Sequence, residues 1–411
     1  MSELKAYILC QFAAKSSIYH SWLDGLSMDV EIVDENLADW QVPRDAGILI
    51  THMHYRWEEL SFLREQLDRG ERPILILADG ILEYRNTWEN PGLVKGSLFQ
   101  PIFGHKLACL GNAQARIVES WGNSGKCEVV GLPRLDHLTP PEIKQETSDS
   151  VHQISKQFRI MVATANTPAF DERQHETVAR SLDLLKNWFE KNPKIGDRQV
   201  ELIWRLSAGL DDELLADESI DDFDGKEGQP PLAEVFETVD AVITTPSTIF
   251  LESAIRGLPT AVLDFHHCPQ YLSPAWTLGS ADHFDGVIPE LARPCPRKMR
   301  FQQTVLHDQL ECATPAKPRM IELIEKMVEI GKKQRSEGQK ICLPTARLLA
   351  RPPARDFETQ PILLADVFPD VPEFEIEDRQ RLQIELIAAR QRLGELPVEL
   401  AEKQRYIAKL R

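Results

Sequence analysis

Residues 241–264 read AVITTPSTIFLESAIRGLPTAVLD, and this stretch says more about the fold than any other part of the chain. Its first three residues are apolar and predict a strand, which is followed by a turn rich in hydroxyl groups. A helix begins near Ser247 and ends at Gly257, and a second apolar strand follows Pro259. Strand, turn, helix and strand in this order predict one unit of a parallel sheet covered by helices.

The turn between this strand and its helix predicts an anion-binding site. The first turn of a helix has backbone N–H groups without intrahelical acceptors and carries the positive end of the helix dipole. Thr245, Ser247 and Thr248 add hydroxyl donors, and Glu252 lies one helical turn further along. A carboxylate there can bind two ribose hydroxyls while phosphates lie at the end of the helix. The structural alternative is that Ser247 or Thr248 is only an N-cap.

Two stretches resemble a known family. PSTIFLESAIRGLP after the DAVIT strand resembles the donor-nucleotide segment of GT-B glycosyltransferases. KCEVVGLPRLDHL at 126–138 resembles the end of the N-terminal domain in bacterial surface-polysaccharide transferases and related sugar-nucleotide enzymes, with Leu132 in place of the usual Asn. The resemblance implies that Thr245, Ser247 and Thr248 bind the donor phosphate and that Glu252 binds the ribose.

Composition limits the class of protein. A chain of 411 residues is long enough for two domains, each with its own core. No apolar run approaches the roughly 20 residues of a membrane span, and the N-terminus lacks the pattern of a signal peptide. Seven cysteines without CxxC spacing favour a reducing compartment. We therefore expect a cytoplasmic protein without a transmembrane segment, either free or in peripheral contact with the inner membrane face.

The charge of the chain argues against a nucleic-acid partner. The formal net charge is -17, whereas phosphate backbones select basic surfaces. About half of this charge comes from residues 211–227, which contain nine acidic residues and one lysine. A run of this kind is usually a solvated loop, and that is our prediction for it.

The order of apolar and amphipathic segments predicts an α/β protein with two doubly wound, Rossmann-like domains of GT-B type. Residues 1–140 form the predicted acceptor domain, 141–157 the linker, and 158–345 the nucleotide-sugar domain. The predicted strands of the first domain are Ala6–Cys10, Val30–Val33, Gly47–Thr51, Pro73–Leu77, Lys106–Leu110 and Glu128–Val130. In the second domain we predict strands at 159–163, 200–206, 241–243 and 260–264, and helices at 172–191, 231–238 and 319–334.

Residues 346–411 form a C-terminal extension. From Leu382 to Leu410, apolar residues recur in the 4,3 alternation of a coiled-coil seam, which Pro397 should kink. We expect either a longer protein, with a further domain or a coiled-coil partner beyond Arg411, or an ordinary amphipathic helix that packs on the body. A helix that lies on a membrane is a weaker alternative because the charges are mixed.

Asp79 is the candidate general base. It follows an apolar strand and precedes Gly80, at the strand end that faces the ligand crevice in such sheets. The pair resembles the acid-acid-Gly motif of bacterial sialyl- and Kdo-transferases, although Ala78 replaces the first acid. Glu83 is a second catalytic candidate. A retaining mechanism needs a carboxylate nucleophile, and Asp79, Glu83 and Asp240 are all open candidates for it. The alternative is a simple Asp-Gly β-turn.

Other strand ends of the second domain supply further candidates for donor binding. Thr164 and Asn166 lie in a predicted cleft-facing loop, which is otherwise only a helix-entry turn. Arg205 stands where related transferases have a phosphate-binding His, and a packed or salt-bridged Arg205 is the alternative. His266 and His267 follow the last predicted strand, where an imidazole can stabilise a leaving phosphate.

The sequence offers no predicted cofactor or metal site. His52 and His54 lack a matched carboxylate, so we predict that no metal binds there. The dinucleotide, P-loop and nucleophile-elbow motifs are missing from the chain.

Our leading prediction is a glycosyltransferase that moves a sugar from a nucleotide-activated donor to a surface glycan. A CMP-linked ulosonic acid such as Kdo is the favoured donor. Two alternatives stay open: a UDP-sugar 2-epimerase on the same fold, and a non-catalytic scaffold in a glycan-synthesis complex.

Overall fold

The computed structural model describes residues 4–10, 13, 16–33, 35–94, 98–138, 156–215, 230–350, 380, 381, 383 and 384. The chain divides into two compact units, residues 1–353 and 354–411. Nearly all of the predicted linker and most of the acidic segment lie outside the described residues. The predicted coiled-coil seam also lies outside the described residues. Of residues 354–411, the structure describes only 380, 381, 383 and 384, and all four are helical.

The first sheet has six parallel strands in the order β2-β1-β3-β4-β5-β6. Their positions confirm the predicted strands, with ends that differ by one or two residues. These strands are β1 (Lys5–Ile8), β2 (Val30–Ile32), β3 (Ala46–Thr51), β4 (Ile74–Leu77), β5 (Lys106–Cys109) and β6 (Cys127–Val129).

The second sheet also has six strands, in the order β12-β11-β10-β7-β9-β8. All pairs are parallel except β8 with β9, which form an antiparallel edge. These strands are β7 (Gln157–Ala163), β8 (Lys194–Ile195), β9 (Arg198–Arg205), β10 (Ala241–Thr244), β11 (Thr260–Leu263) and β12 (Trp276–Leu278). The sequence had not predicted the short strands β8 and β12.

Helices cover both sheets, and their ends follow local chemistry. Asp171 accepts a hydrogen bond from the Gln174 N–H at the start of α5, and α2 ends at Gly70, whose positive φ suits glycine. The helices are α1 (Ser17–Leu23), α2 (Trp57–Arg69), α3 (Tyr84–Trp88), α4 (Asn112–Ser120), α5 (Glu172–Lys191), α6 (Leu210–Leu215), α7 (Leu232–Val235), α8 (Ile249–Ile255), α9 (Phe284–Ala292), α10 (Pro296–Gln309) and α11 (Ala316–Ser336).

Helix α11 packs with the first sheet. The sequence had predicted it to be part of the nucleotide-sugar domain, residues 158–345. Its apolar face, which includes Leu323 and Met327, packs in one buried cluster with Ile48 of β3. The Asp136 carboxylate accepts the first N–H groups of the helix, from Ala316 and Lys317, each at 2.8 Å. We use "first lobe" for β1–β6 with their helices and α11, and "second lobe" for β7–β12 with theirs.

Helix α8 joins the two lobes. Phe250, Leu251 and Ala254 are fully buried and share one apolar cluster with Ala78 and Leu82 of the first lobe. Burial of this kind contributes about 25 cal/mol per Å² of apolar surface. The helix that carries the predicted nucleotide site is therefore packed between the two lobes. No helix in the described ranges is long and apolar enough to cross a membrane.

Candidate functional site

The carboxyl ends of both parallel sheets face a cleft of about 1210 Å³. Strand order reverses between β1 and β3 in the first sheet and between β7 and β10 in the second, and crevices form at such reversals. Seven of the predicted site residues line this cleft, together with His52, His54 and Arg134. They are Asp79, Glu83, Thr164, Asn166, Ser247, Thr248 and Glu252.

Two buried threonines hold the second-lobe edge in shape. The Thr245 hydroxyl accepts the Ala165 N–H at 2.8 Å, and the Thr164 hydroxyl accepts the Ser207 N–H at 2.9 Å. Each bond ties the end of one strand to the loop after a neighbouring strand. Thr245 is 2 % exposed and does not line the cleft, so its position fits a supporting role better than the predicted contact with phosphate.

Ser247 and Thr248 form the entry to α8. The Ser247 hydroxyl accepts the Ile249 N–H at 3.2 Å and contacts the Thr244 hydroxyl, as a capping residue does. The backbone N–H groups of Ser247 and Thr248 have no acceptor within the part of the chain that the structure describes. Because α8 has only seven residues, these free N–H groups matter more for anion binding than the helix dipole does.

Arg134 reaches this turn from the first lobe. One guanidinium nitrogen donates to the Asp79 carbonyl at 3.0 Å, and the other donates to the Thr248 hydroxyl at 3.3 Å. Arg134 thus places a cation beside the start of α8 and links it to the Asp79 turn. Arg134 was not among the residues predicted from the sequence, although it lies within the GLPRLD stretch that carried the family resemblance.

The Asp79-Gly80 turn lies directly against α8. A Cβ atom on Gly80 would lie 3.4 Å from Thr248 Cγ2, an ordinary van der Waals distance, so the two turns are neighbours across the lobes. Gln114 holds the turn by donating to the Gly80 carbonyl at 3.1 Å. The Asp79 side chain is exposed and lines the cleft, so its carboxylate borders the same cleft as the predicted phosphate site.

Glu83 lies four residues further on, in a different environment. It pairs with Arg85, which is 2 % exposed and also donates to the Pro168 carbonyl of the second lobe at 3.0 Å. Burial raises the pKa of the Glu83 carboxyl to about 7, against the opposing effect of Arg85. This arrangement suits a junction between the lobes, and its predicted catalytic role stays a prediction.

Glu252 lies in the cleft one turn along α8, as the sequence predicted. Burial raises the pKa of its carboxyl, and the nearby Arg134 and Thr248 oppose that shift. Arg205 also lies near Glu252, but it does not line the cleft and donates to the Pro230 carbonyl at 2.9 Å. Its position therefore fits the packed alternative better than contact with a phosphate.

His266 and His267 lie away from the cleft lining. The Asp264 carboxylate accepts the His266 N–H at 3.1 Å, and burial, helped by Arg85, lowers the pKa of His266 to about 4. His267 is exposed, with φ of 56°. Neither imidazole lines the cleft, and His266 instead borders a small pocket together with Thr245 and Pro246.

Helix α3 and the residues just after it have two different sides. Asn86 and Asn90 face the cleft. Trp88 points elsewhere, donates to the Tyr271 hydroxyl at 2.8 Å and packs edge-on against Trp121. These aromatic rings tie the lobes together.

His52 and His54 have separate surroundings. His54 is buried beside Phe99, with ring centroids 4.7 Å apart, and burial lowers its pKa to about 3. His52 lines the cleft and contacts Tyr19. Within the described ranges, no group of three His, Cys, Asp or Glu side chains is placed to hold a metal ion.

Comparisons with known proteins identify the fold. No protein-family model matches the chain. No curated protein matches its sequence. Among solved structures, a putative UDP-N-acetylglucosamine 2-epimerase from Listeria monocytogenes aligns with a TM-score of 0.51 and 9% identity, covering 85% of this chain and 100% of that chain. A variant of the wall teichoic acid polymerase TagF aligns with a TM-score of 0.50 and 14% identity, covering 80% and 89%.

Identities this low show a shared fold and leave the chemistry open. The fold is the two-domain GT-B arrangement that the sequence predicted, and that part of the prediction is confirmed.

Proposed function

We propose that the chain is an enzyme that binds a nucleotide-activated sugar in the cleft and transfers the sugar to a hydroxyl group of a glycan. One observation carries this proposal. The Asp79-Gly80 turn of one lobe and the Ser247-Thr248 turn of the other lie against each other, and Arg134 bonds to both. A carboxylate, a cation and free N–H groups therefore converge on a cleft large enough for a nucleotide-sugar.

The nucleotide would lie mainly on the second lobe. Its phosphate accepts hydrogen bonds from the Ser247 and Thr248 N–H groups and from Arg134, and its ribose hydroxyls donate to Glu252. Charge-assisted bonds of this kind are stronger than neutral ones. They also neutralise the charge that develops on the departing phosphate, so the proposal requires no metal ion.

Asp79 would act from the first lobe as the general base. It takes the proton of the acceptor hydroxyl while that oxygen bonds to the anomeric carbon. The bond between the anomeric carbon and the phosphate oxygen breaks, and its electron pair leaves with the nucleotide. The exposed position of Asp79 at the cleft supports this role, because an acceptor must reach it from solvent.

For the donor we propose a CMP-linked ulosonic acid, the class that the Asp79-Gly80 pair resembles. Such a donor has two negatively charged groups, a carboxylate and a phosphate. Arg134, which contacts both lobes, supplies positive charge to bind them. The test is a thermal-shift screen with CMP, UDP, CDP and GDP. We expect the largest stabilisation with CMP, and a clear preference for another base would replace this donor class.

The transfer itself is tested by following release of free nucleotide with and without acceptor. Release that depends on acceptor and is lost in Asp79→Asn supports the proposal. Glu58→Gln, an exposed carboxylate change at the start of α2, is the matched control and should behave as wild type. Acceptor-independent chemistry in the wild type would contradict transfer.

A second candidate is a nucleotide-sugar 2-epimerase on the same fold. It is favoured by His52, which lies in the cleft together with Asp79, Glu83 and Glu252, since epimerisation needs acids and a proton carrier. An epimerase interconverts two nucleotide-sugars without any acceptor. Incubating the purified protein with the donor alone and separating the products therefore distinguishes the two candidates.

A further inference from the structure

His52 is a cleft residue that the proposed chemistry has not yet used. It follows β3 directly, at the reversal point of the first sheet, and the next strand of that sheet leads to Asp79. Carboxyl ends of neighbouring parallel strands lie side by side, so His52 and Asp79 are on the same edge. Both line the cleft.

Tyr19 of α1 fixes the His52 ring. Its hydroxyl oxygen lies 2.7 Å from His52 Nδ1 and also accepts the His52 backbone N–H at 3.1 Å. The two rings meet edge-on at 5.5 Å. Tyr19 is fully buried, and burial raises the pKa of its phenol, which therefore keeps its proton.

The contact between the Tyr19 hydroxyl and Nδ1 bears on the tautomer of His52. In one of its two arrangements the phenol donates its proton to Nδ1, and the imidazole proton is then on Nε2. Burial lowers the pKa of His52, so the ring is neutral at neutral pH even though Asp79 opposes that shift. Nε2 has no hydrogen-bond partner within the described residues, and the ring borders the cleft.

We infer that His52 is a substrate-binding residue whose Nε2–H donates to the acceptor hydroxyl oxygen that Asp79 deprotonates, with Tyr19 as the positioning residue behind it. This inference rests on the proposed function. The acceptor O–H points to Asp79, one lone pair of the oxygen accepts from His52, and the other attacks the anomeric carbon. A histidine held in this tautomer presents a donor to the cleft, which leaves Asp79 as the base.

The first test needs no ligand. In the ¹⁵N NMR spectrum of the full chain, we expect His52 Nε2 to have the shift of a protonated ring nitrogen and Nδ1 that of an unprotonated one. Tyr19→Phe keeps the ring packing but removes the phenol, so it should give a mixture of tautomers. A wild-type protein with the proton on Nδ1 would overturn the inference.

The second test is steady-state kinetics with varied acceptor concentration. His52→Ala should raise the acceptor KM about 3- to 10-fold, the scale of one lost hydrogen bond, and leave nucleotide affinity unchanged. His52→Gln keeps a neutral N–H donor and should recover part of the loss. His137→Gln, an exposed histidine change outside the cleft lining, is the matched control.

An acceptor KM for His52→Ala equal to that of wild type would overturn the inference while the proposed transfer stands. A wild-type protein that transfers nothing to any acceptor would instead contradict the proposed function, and the inference would fall with it. Circular dichroism and the melting temperature check that each variant is folded, and His52→Gln provides the same comparison with less change in packing.

Discussion

The two sheet edges that face the cleft are built differently. On the second-lobe edge, hydroxyl groups are buried and bonded to neighbouring loops, as Thr245 is to Ala165 and Thr164 is to Ser207. On the first-lobe edge, Asp79 is exposed at the cleft, and Arg134 reaches across to the other lobe. The second-lobe edge is held by its own hydrogen bonds, and the first-lobe edge presents charged side chains to the cleft.

This difference separates binding from chemistry. A nucleotide needs a fixed set of donors, which an internally bonded edge provides at little cost in conformational entropy. An acceptor must enter and leave, which an open carboxylate allows. Substitution of Asp79 on the first edge should therefore change turnover, whereas substitutions on the second edge should change nucleotide affinity or stability.

The largest effect is expected for Asp79→Asn. The variant keeps the shape of the turn and removes the base, so turnover should fall about 10²-fold or more with nucleotide affinity unchanged. Initial rates and a nucleotide titration measure the two quantities separately. Wild-type turnover would exclude Asp79 from catalysis and remove the proposed role of the first edge.

Glu83→Gln tests whether the Glu83 carboxyl of the first lobe contributes to the stability of the fold. The pKa of its carboxyl is raised from 4.5 to about 7, so between these values the folded protein holds a proton that the unfolded chain releases. The free energy of unfolding should therefore fall by about 3 kcal/mol as the pH rises from 4.5 to 7.5, relative to Glu83→Gln.

Urea denaturation of both proteins across that pH range gives the difference directly. Glu58→Gln serves as a control for an exposed carboxylate of the same lobe. Parallel pH profiles for wild type and Glu83→Gln would show that burial of the Glu83–Arg85 pair does not control its protonation.

Arg134 contacts both sheet edges, through the Asp79 carbonyl and the Thr248 hydroxyl. Arg134→Ala removes its charge and both of its bonds, so nucleotide affinity should fall about tenfold. Isothermal titration of the preferred nucleotide measures this. Arg69→Ala, an exposed arginine at the end of α2, should leave affinity unchanged. Equal affinity in both variants would place the phosphate away from Arg134.

The smallest effect is expected for Thr245→Val. This change keeps the volume and removes the acceptor of the Ala165 N–H, so the free energy of unfolding should fall by about 1 kcal/mol. Thr304→Val, on the exposed side of α10, is the matched control for denaturation. If Thr245→Val instead weakened nucleotide binding without a loss of stability, Thr245 would be a ligand residue as the sequence first predicted.

The sequence predicted what depends on local order along the chain. The alternation around residues 241–264 located β10, α8 and β11, and three residues selected from this stretch, Ser247, Thr248 and Glu252, line the cleft. Asp79 was found in the same way, from its position after an apolar strand. The spacing of apolar residues and the position of a polar residue after a strand are local features of the sequence, and the structure agrees with both.

Contacts between residues far apart in the chain could not be predicted from local signals. Arg134 meets Thr248 across a separation of 114 residues, and Tyr19 meets His52 across 33. Arg205 was placed at the right strand end, but its side chain bonds to Pro230. Helix α11 was found and grouped with the wrong sheet, because an amphipathic pattern shows that a face is buried without showing against what.

The most direct measurement is a crystal structure with the nucleotide that stabilises the protein most. We expect its phosphate to lie within hydrogen-bonding distance of the Ser247 and Thr248 N–H groups and of Arg134. Its ribose should lie on Glu252, and the Asp79 carboxylate should face the phosphate from the first lobe. A nucleotide bound outside this cleft, or an Asp79 side chain turned away from the phosphate, would contradict it.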